Sequence, residues 1–204
     1  MAGPAPSRVH RKAQSRPGAS LAHNEVATTV MQNEKGAASR LLFFFPVGLQ
    51  PKIPESVLVV IYSPALEVLL IERADRSGYW QSVTGSKDRA DEALGDTAIR
   101  EVFEETGIVV GSEAVPRANL EDWDTRTVYE IYPIWRHRYA VGVTHNTEHV
   151  FGLLVPRDIA VQLAPREHVR YRWLPWDEAA RACFSSSNAH AIRQLPQRVR
   201  CVHP

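Results

Sequence analysis

The segment from Asp91 to Gly107 constrains this chain more than any other. On a helix at about 100° per residue, Glu101, Glu104 and Glu105 fall at i, i+3 and i+4 and share one face. Ile99, Val102 and Phe103 fall on the opposite side, a surface suited to packing on a sheet. The pattern predicts a helix over Asp91–Thr106, closed by Gly107 as a left-handed cap, with three carboxylates held together in solvent or a cleft. Like charges so placed repel by a few tenths of a kcal/mol per exposed pair. A hard divalent cation relieves that conflict, because carboxylate oxygens are its preferred ligands and substrate phosphates can complete its shell. Glu104-Glu105 alone is what many solvated helix faces carry. The full string Arg100-Glu101-Val102-Phe103-Glu104-Glu105-Thr106-Gly107-Ile108 is not, since its pattern arises at a given start on the order of once in ten million at average frequencies.

Charge divides the 204 residues unevenly: the first fifty hold six basic and two acidic side chains, and the remaining 154 stand at −3, so that the whole chain is +1. Every Trp and Tyr lies in that second part, which is long enough to bury its own core. Residues 1–50 read as an extension to a domain at 51–200; residues 1–40 have the Ala, Ser, Pro, Gly and Gln content of a solvated arm. An organelle transit peptide and a true start near Pro51 are the alternatives for this segment. The longest apolar stretch, Leu41–Leu49, is broken by Pro46 and Gly48 and is far short of the about 20 residues of a membrane span. With two cysteines, irregularly placed, and no secretory apolar region, the chain is expected in a reducing cytoplasm.

From Lys52 onward, short apolar runs separated by turn signals predict strands at Ser56–Tyr62 and Leu66–Ile71, joined as a hairpin across Ser63-Pro64. Further strands are expected at Val128–Trp135, Thr147–Val155 and Val169–Leu174, and helices at Pro175–Ala182 and Ser187–Leu195. Strands mixed with separate helices point to an α/β sandwich without internal repeats.

Gly85, Glu92, Arg100, Glu101, Glu104, Glu105 and Gly107 together resemble the Nudix hydrolase signature, with one departure. Six residues, not five, separate Gly85 from Glu92, an insertion that a loop tolerates cheaply. Trp80-Gln81-Ser82-Val83-Thr84-Gly85-Ser86, Arg136-His137-Arg138-Tyr139-Ala140 and Glu167-His168 extend the similarity, over roughly residues 52–195, to the bacterial dihydroneopterin triphosphate diphosphatase branch. Val141 stands where that branch usually has Pro. The resemblance implies an α/β/α Nudix fold with a mixed sheet between helices. It further implies release of pyrophosphate from dihydroneopterin triphosphate in folate synthesis, with Mg²⁺ as cofactor and Mn²⁺ as a substitute. Carried over residue by residue, it makes Glu101, Glu105 and Glu167 the metal ligands. Lys52, Arg73, Thr84, Tyr129, Glu130, Ile131, Tyr132 and Ser185 become substrate-binding positions, and Glu104 joins Glu101 and Glu105 in catalysis by orienting or deprotonating water. Arg100 is expected to pair with a carboxylate of its own helix, such as Glu104.

Other readings stay open at this level. A dATP or other nucleoside triphosphate pyrophosphohydrolase is the nearest, and a nucleotide-sensing domain without catalysis follows. Arg136-His137-Arg138 lacks the broad basic face of a nucleic-acid module, and His137 and His145 lack the second pair a zinc site needs. Arg136 and Arg138 are instead expected on one face of a strand, paired with acids such as Glu130 and Glu148. The expected partner is a small triphosphate rather than nucleic acid or membrane, and the oligomeric state is open.

Overall fold

The computed structural model describes residues 51–202, so the expectations for residues 1–50 lie outside the described residues. Twelve elements follow in order: β1 (Glu55–Tyr62), β2 (Glu67–Arg73), β3 (Trp80–Gln81), β4 (Val83–Ser86), α1 (Leu94–Thr106), a 3-10 turn (Arg117–Asn119), β5 (Leu120–Glu130), a second 3-10 turn (Pro133–Arg138), β6 (His145–Leu154), β7 (His168–Pro175), α2 (Trp176–Ala182) and α3 (Ser186–Val202). The seven strands form one mixed sheet. β6 runs parallel to β1 along its whole length, from Glu55 opposite Thr147 to Tyr62 opposite Leu154, while β5 pairs antiparallel to β6 and β7 to β2.

Near-continuous Val, Leu and Ile in β1 and β2 reflect burial on both sheet faces. Because alternate side chains leave a strand on opposite faces, these two strands supply two cores. Val57, Val59, Ile61, Leu69 and Ile71 pack with Phe151 and Leu153 beneath Ala98 and Val102 of α1. Leu58, Val60, Val68, Leu70, Trp123 and Val150 pack beneath Ala179 and Ala180 of α2 and Ala191, Ile192 and Leu195 of α3. The result is the expected α/β/α sandwich.

The predicted hairpin is only partly a ladder. β1 and β2 are in register at Tyr62 and Val68 and then diverge. β4 pairs with Ser56–Val59 of β1, and β3 pairs with Ile71 and Glu72 of β2. Residues 80–86 thus cross the opening between two splayed strands, which lays Thr84 and Gly85 beside α1 and creates the cleft.

Four expectations need correction. Val128–Trp135 is not one strand: β5 begins earlier, at Leu120, and ends at Glu130, because Pro133 cannot donate to a ladder and opens a 3-10 turn. The early part, rich in Asp and Glu, exposes one face to solvent and so hides its strand character. α1 begins at Leu94 rather than Asp91, since the Glu92 side chain folds back to accept the Asp88 N–H at 2.7 Å. Phe103 is 54% exposed rather than packed on the sheet, while Ala98 and Val102 form the buried stripe. Finally, Arg136 and Arg138 lie in the 3-10 turn; Arg136 pairs with Glu130, but among the described residues Arg138 has no ion pair with Glu148.

Candidate active site

The cleft at the splayed edge measures about 1020 Å³ and is lined by all twelve expected site residues: Lys52, Arg73, Thr84, Glu101, Glu104, Glu105, Tyr129, Glu130, Ile131, Tyr132, Glu167 and Ser185. They come from seven separate parts of the chain, which only the fold brings together.

On α1 the three glutamates are not equivalent. Glu105 lies about 40° from Glu101 toward the buried stripe, while Glu104 lies about 60° away on the solvent side. Accordingly the Glu101 and Glu105 side chains are 12% and 6% exposed, and Glu104 is 54% exposed. Burial and the neighbouring Glu105 push the Glu101 carboxyl up to about 7, against the pull of Arg100. Burial likewise raises the Glu105 carboxyl, opposed by His168, whose Nε2 lies 3.3 Å from its Oε1. Two adjacent carboxyls forced toward neutrality are an arrangement that a cation would stabilise.

Gly85 makes the approach possible: a Cβ there would meet Glu101 Cδ at 1.7 Å. From the same strand, the Thr84 N–H donates to Glu105 Oε2 at 3.3 Å. Arg100 fixes the other side. Its guanidinium donates to Glu101 at 2.8 Å, Glu104 at 3.2 Å, Glu92 at 3.1 Å and the Ser86 carbonyl at 2.8 Å. The expected pairing with Glu104 is present, and the longer Gly85–Glu92 spacing still lets Glu92 reach Arg100. At the C-terminal end, Gly107 adopts φ 71° and donates to the Phe103 carbonyl, so the helix stops where the next loop must leave.

Glu167 comes from a different loop, the one between β6 and β7. This loop is tied to α1 by Gln162 N–H on the Thr106 carbonyl and to the end of β2 by Ala74 N–H on the Glu167 carbonyl, both at 2.8 Å. Ligand atoms of Glu105, Glu167 and His168 lie within 4.8 Å of one another, which suits a metal ion; Glu101 stands on the adjoining turn of α1. Sequence reasoning did not select His168 as a metal neighbour, although it adjoins Glu167.

Cationic groups face these acids. The Lys52 ammonium is lowered by burial and by Arg138, against the attraction of Glu101, Glu167 and Glu105. Arg73 is tied through Nε and Nη2 to both oxygens of Asp75 at 2.8 Å and lies 5.7 Å from the Trp135 ring, which fixes its guanidinium at the cleft wall. Among the remaining expected contacts, Ile131 is 3% exposed, Glu130 is held by Arg136, and Tyr132 stacks edge-on against Trp135. Ser185 has a structural duty as well, accepting the Asn188 N–H at 3.2 Å at the start of α3. His137 and His145 point to local oxygens, Ile134 O and Thr144 Oγ1.

Sequence reading missed a buried polar group on the α3 side of the sheet. Asn146 donates to Ser56 Oγ at 2.7 Å and to the Tyr129 hydroxyl at 3.1 Å; burial pushes that phenol up to about 12. Glu148, 5% exposed, is raised by burial and contacts Ser187. The alternation of Asn146, Glu148 and Val150 along β6 was the available signal, because polar residues there continue a face that becomes core at Val150.

The NUDIX domain family model matches residues 52–195. The dihydroneopterin triphosphate diphosphatase of Escherichia coli strain K12 is 42% identical over 145 residues, covering 71% of this chain and 93% of the relative. That of Haemophilus influenzae is 35% identical over 147 residues, covering 72% and 89%. The solved structure of the E. coli dihydroneopterin triphosphate pyrophosphohydrolase superposes with a TM-score of 0.63 at 41% identity, covering 71% of this chain and 95% of that one. Among the described residues, no helix is long and apolar enough to cross a membrane.

Proposed function

This chain belongs to the Nudix hydrolase family, and from that premise we propose that it hydrolyses dihydroneopterin triphosphate to dihydroneopterin monophosphate and pyrophosphate. The observation that carries the reading is the convergence of Glu101, Glu105 and Glu167 opposite Lys52 in one cleft, in a chain 42% identical to a diphosphatase of that specificity. The same identity favours the enzyme over a sensor.

Nudix hydrolases act with divalent metal ions, and the residues present fit one: burial and the neighbouring Glu105 disfavour charge on Glu101, burial and Glu167 disfavour it on Glu105, and Glu167 and His168 offer further donors beside them. We assign Glu101, Glu105 and Glu167 as the ligands of Mg²⁺, with Mn²⁺ as a substitute, since an all-oxygen set suits hard cations. Such an ion supplies charge neutralisation at the phosphates and acidifies water. The chain's own residues do the rest. Lys52 contributes positive charge to the polyphosphate, and Arg73, held at the cleft wall by Asp75, offers its remaining N–H donors. Arg100 keeps Glu101 and Glu104 in fixed orientations. Glu104, more than half exposed, accepts a proton from the attacking water. Little covalent work is left for side chains, because phosphoryl transfer depends on positioning and electrostatics. The two-cysteine content supports a reducing cytoplasm as the setting.

Comparison of kcat/KM for dihydroneopterin triphosphate and the common dNTPs, each with and without Mg²⁺, tests this reading. The pterin substrate is expected to lead, with activity lost when the cation is removed. A preference for dATP of about tenfold or more, about 1.4 kcal/mol in transition-state binding, would reject the pterin assignment.

A further inference from the structure

The mechanism above uses the α1 side of the cleft and leaves the acid on the other side unexplained. Glu148 sits on β6 between Asn146 and Val150, so its side chain lies on the α3 face of the sheet, in the same cleft as Tyr129, Asn146 and Ser187. It is 5% exposed, and its Oε1 has no hydrogen-bond partner among the described residues. Leaving a buried acceptor unmatched is destabilising, more so for a charged one. A carboxylate retained in such a place calls for a donor that arrives with a ligand.

Carboxylates pair best with two parallel N–H groups, as they do with a guanidinium. A 2-amino-4-oxo pyrimidine ring presents that same fork through its exocyclic amine and N3–H. Pterins and guanines share this edge. Adenine does not, because a ring nitrogen acceptor lies beside its only amine.

We propose that Glu148 is the specificity-determining residue of the cleft, receiving the paired N–H donors of a 2-amino-4-oxo pyrimidine ring while the phosphates lie against the acids of α1. This deepens the pterin reading and rests on it. It places ring and phosphates on opposite sides of the crossing segment 80–86, and a cleft of about 1020 Å³ has room for both. Asn146, anchored to Ser56 and Tyr129, walls the ring site beside Glu148.

The test measures kcat/KM of wild type and Glu148→Gln with dihydroneopterin triphosphate, dGTP and dATP, with circular dichroism as a check on folding. We expect the variant to lose about tenfold or more on the pterin and guanine substrates, the loss of a charged hydrogen bond, and to change less than about threefold on dATP. Retained pterin activity, or an equal loss on all three substrates, overturns the proposal. Should wild type ignore dihydroneopterin triphosphate, the functional reading fails, and the dGTP-to-dATP ratio in the variant still decides the role of Glu148. If the variant does not fold, wild type answers through inhibition: a 2-amino-4-oxopteridine should bind about tenfold or more tightly than the 2,4-dioxopteridine, which replaces one donor with an acceptor. Equal inhibition constants overturn the proposal.

Discussion

At the scale of single residues, one missing side chain matters as much as any that is present. Gly85 leaves the space that the Glu101 carboxyl fills, and a methyl group there would lie 1.7 Å from Glu101 Cδ. The obstructed atom is the end of a flexible side chain, so Gly85→Ala should fold normally with its Glu101 carboxyl displaced. We expect the Mg²⁺ concentration needed for half-maximal activity to rise by about 10–100-fold, with Tm almost unchanged. Unaltered Mg²⁺ dependence would show that Glu101 does not need this place. The glutamates of α1 were legible in the sequence as a group because their spacing is periodic. Their division was not, since it depends on which flank of the helix abuts β4. The same limit explains Phe103: periodicity placed it opposite the acids, but the buried stripe runs through Ala98 and Val102, and Phe103 lies about 100° beyond Val102 on the exposed flank.

At the scale of elements, the cleft depends on how β2 is held once it has left β1. β7 pairs along β2, and the fully buried Glu72 ties that edge together by accepting from Arg170 and from the Gly78 N–H, both at 2.6 Å. Arg170 first, then the Gly78 N–H, hold the Glu72 carboxyl at about 2 against the effect of burial. An unfolded glutamate titrates near about 4.3, so the unfolded state takes up protons first as pH falls. The contribution of Glu72 is therefore present above about pH 4.3 and lost as pH falls toward about 2. Tm should drop across that interval, and Glu72→Gln should be less stable at pH 7 with a flatter profile below pH 5. Parallel profiles for the two proteins would contradict the assignment. Strands with continuous apolar runs, β1 and β2, were readable from composition alone. Short β3 and β4 were not, because their two and four residues carry no period and exist only to bridge the opening.

At the scale of the whole molecule, the family match begins at residue 52, and among the described residues those lining the cleft fall between Lys52 and Arg193. We therefore propose residues 51–200 as the functional domain. A chain starting at Pro51 is expected to keep kcat within about twofold and Tm within a few degrees; collapse of either would give the first fifty residues a role in folding or catalysis. The overall sandwich and the position of the acids were foreseeable, since both rest on local patterns. Which strands are neighbours was not, because the parallel pairing of β1 with β6 joins segments about ninety residues apart and leaves no local trace. The buried polar group around Glu148 had only a faint local signal, the alternation of Asn146, Glu148 and Val150 along β6, and its burial depends on the packing of α3 against that face. What the account rests on most is a divalent cation held by the acids of α1 and by Glu167 in the loop before β7. Calorimetric titration of Mg²⁺ into wild type and Glu105→Gln, alongside single-turnover hydrolysis, tests this directly. Saturable binding in wild type, with affinity lowered and kcat down by about 10²-fold or more in a folded variant, is the predicted result. Near-normal turnover and unchanged Mg²⁺ affinity in Glu105→Gln would contradict it.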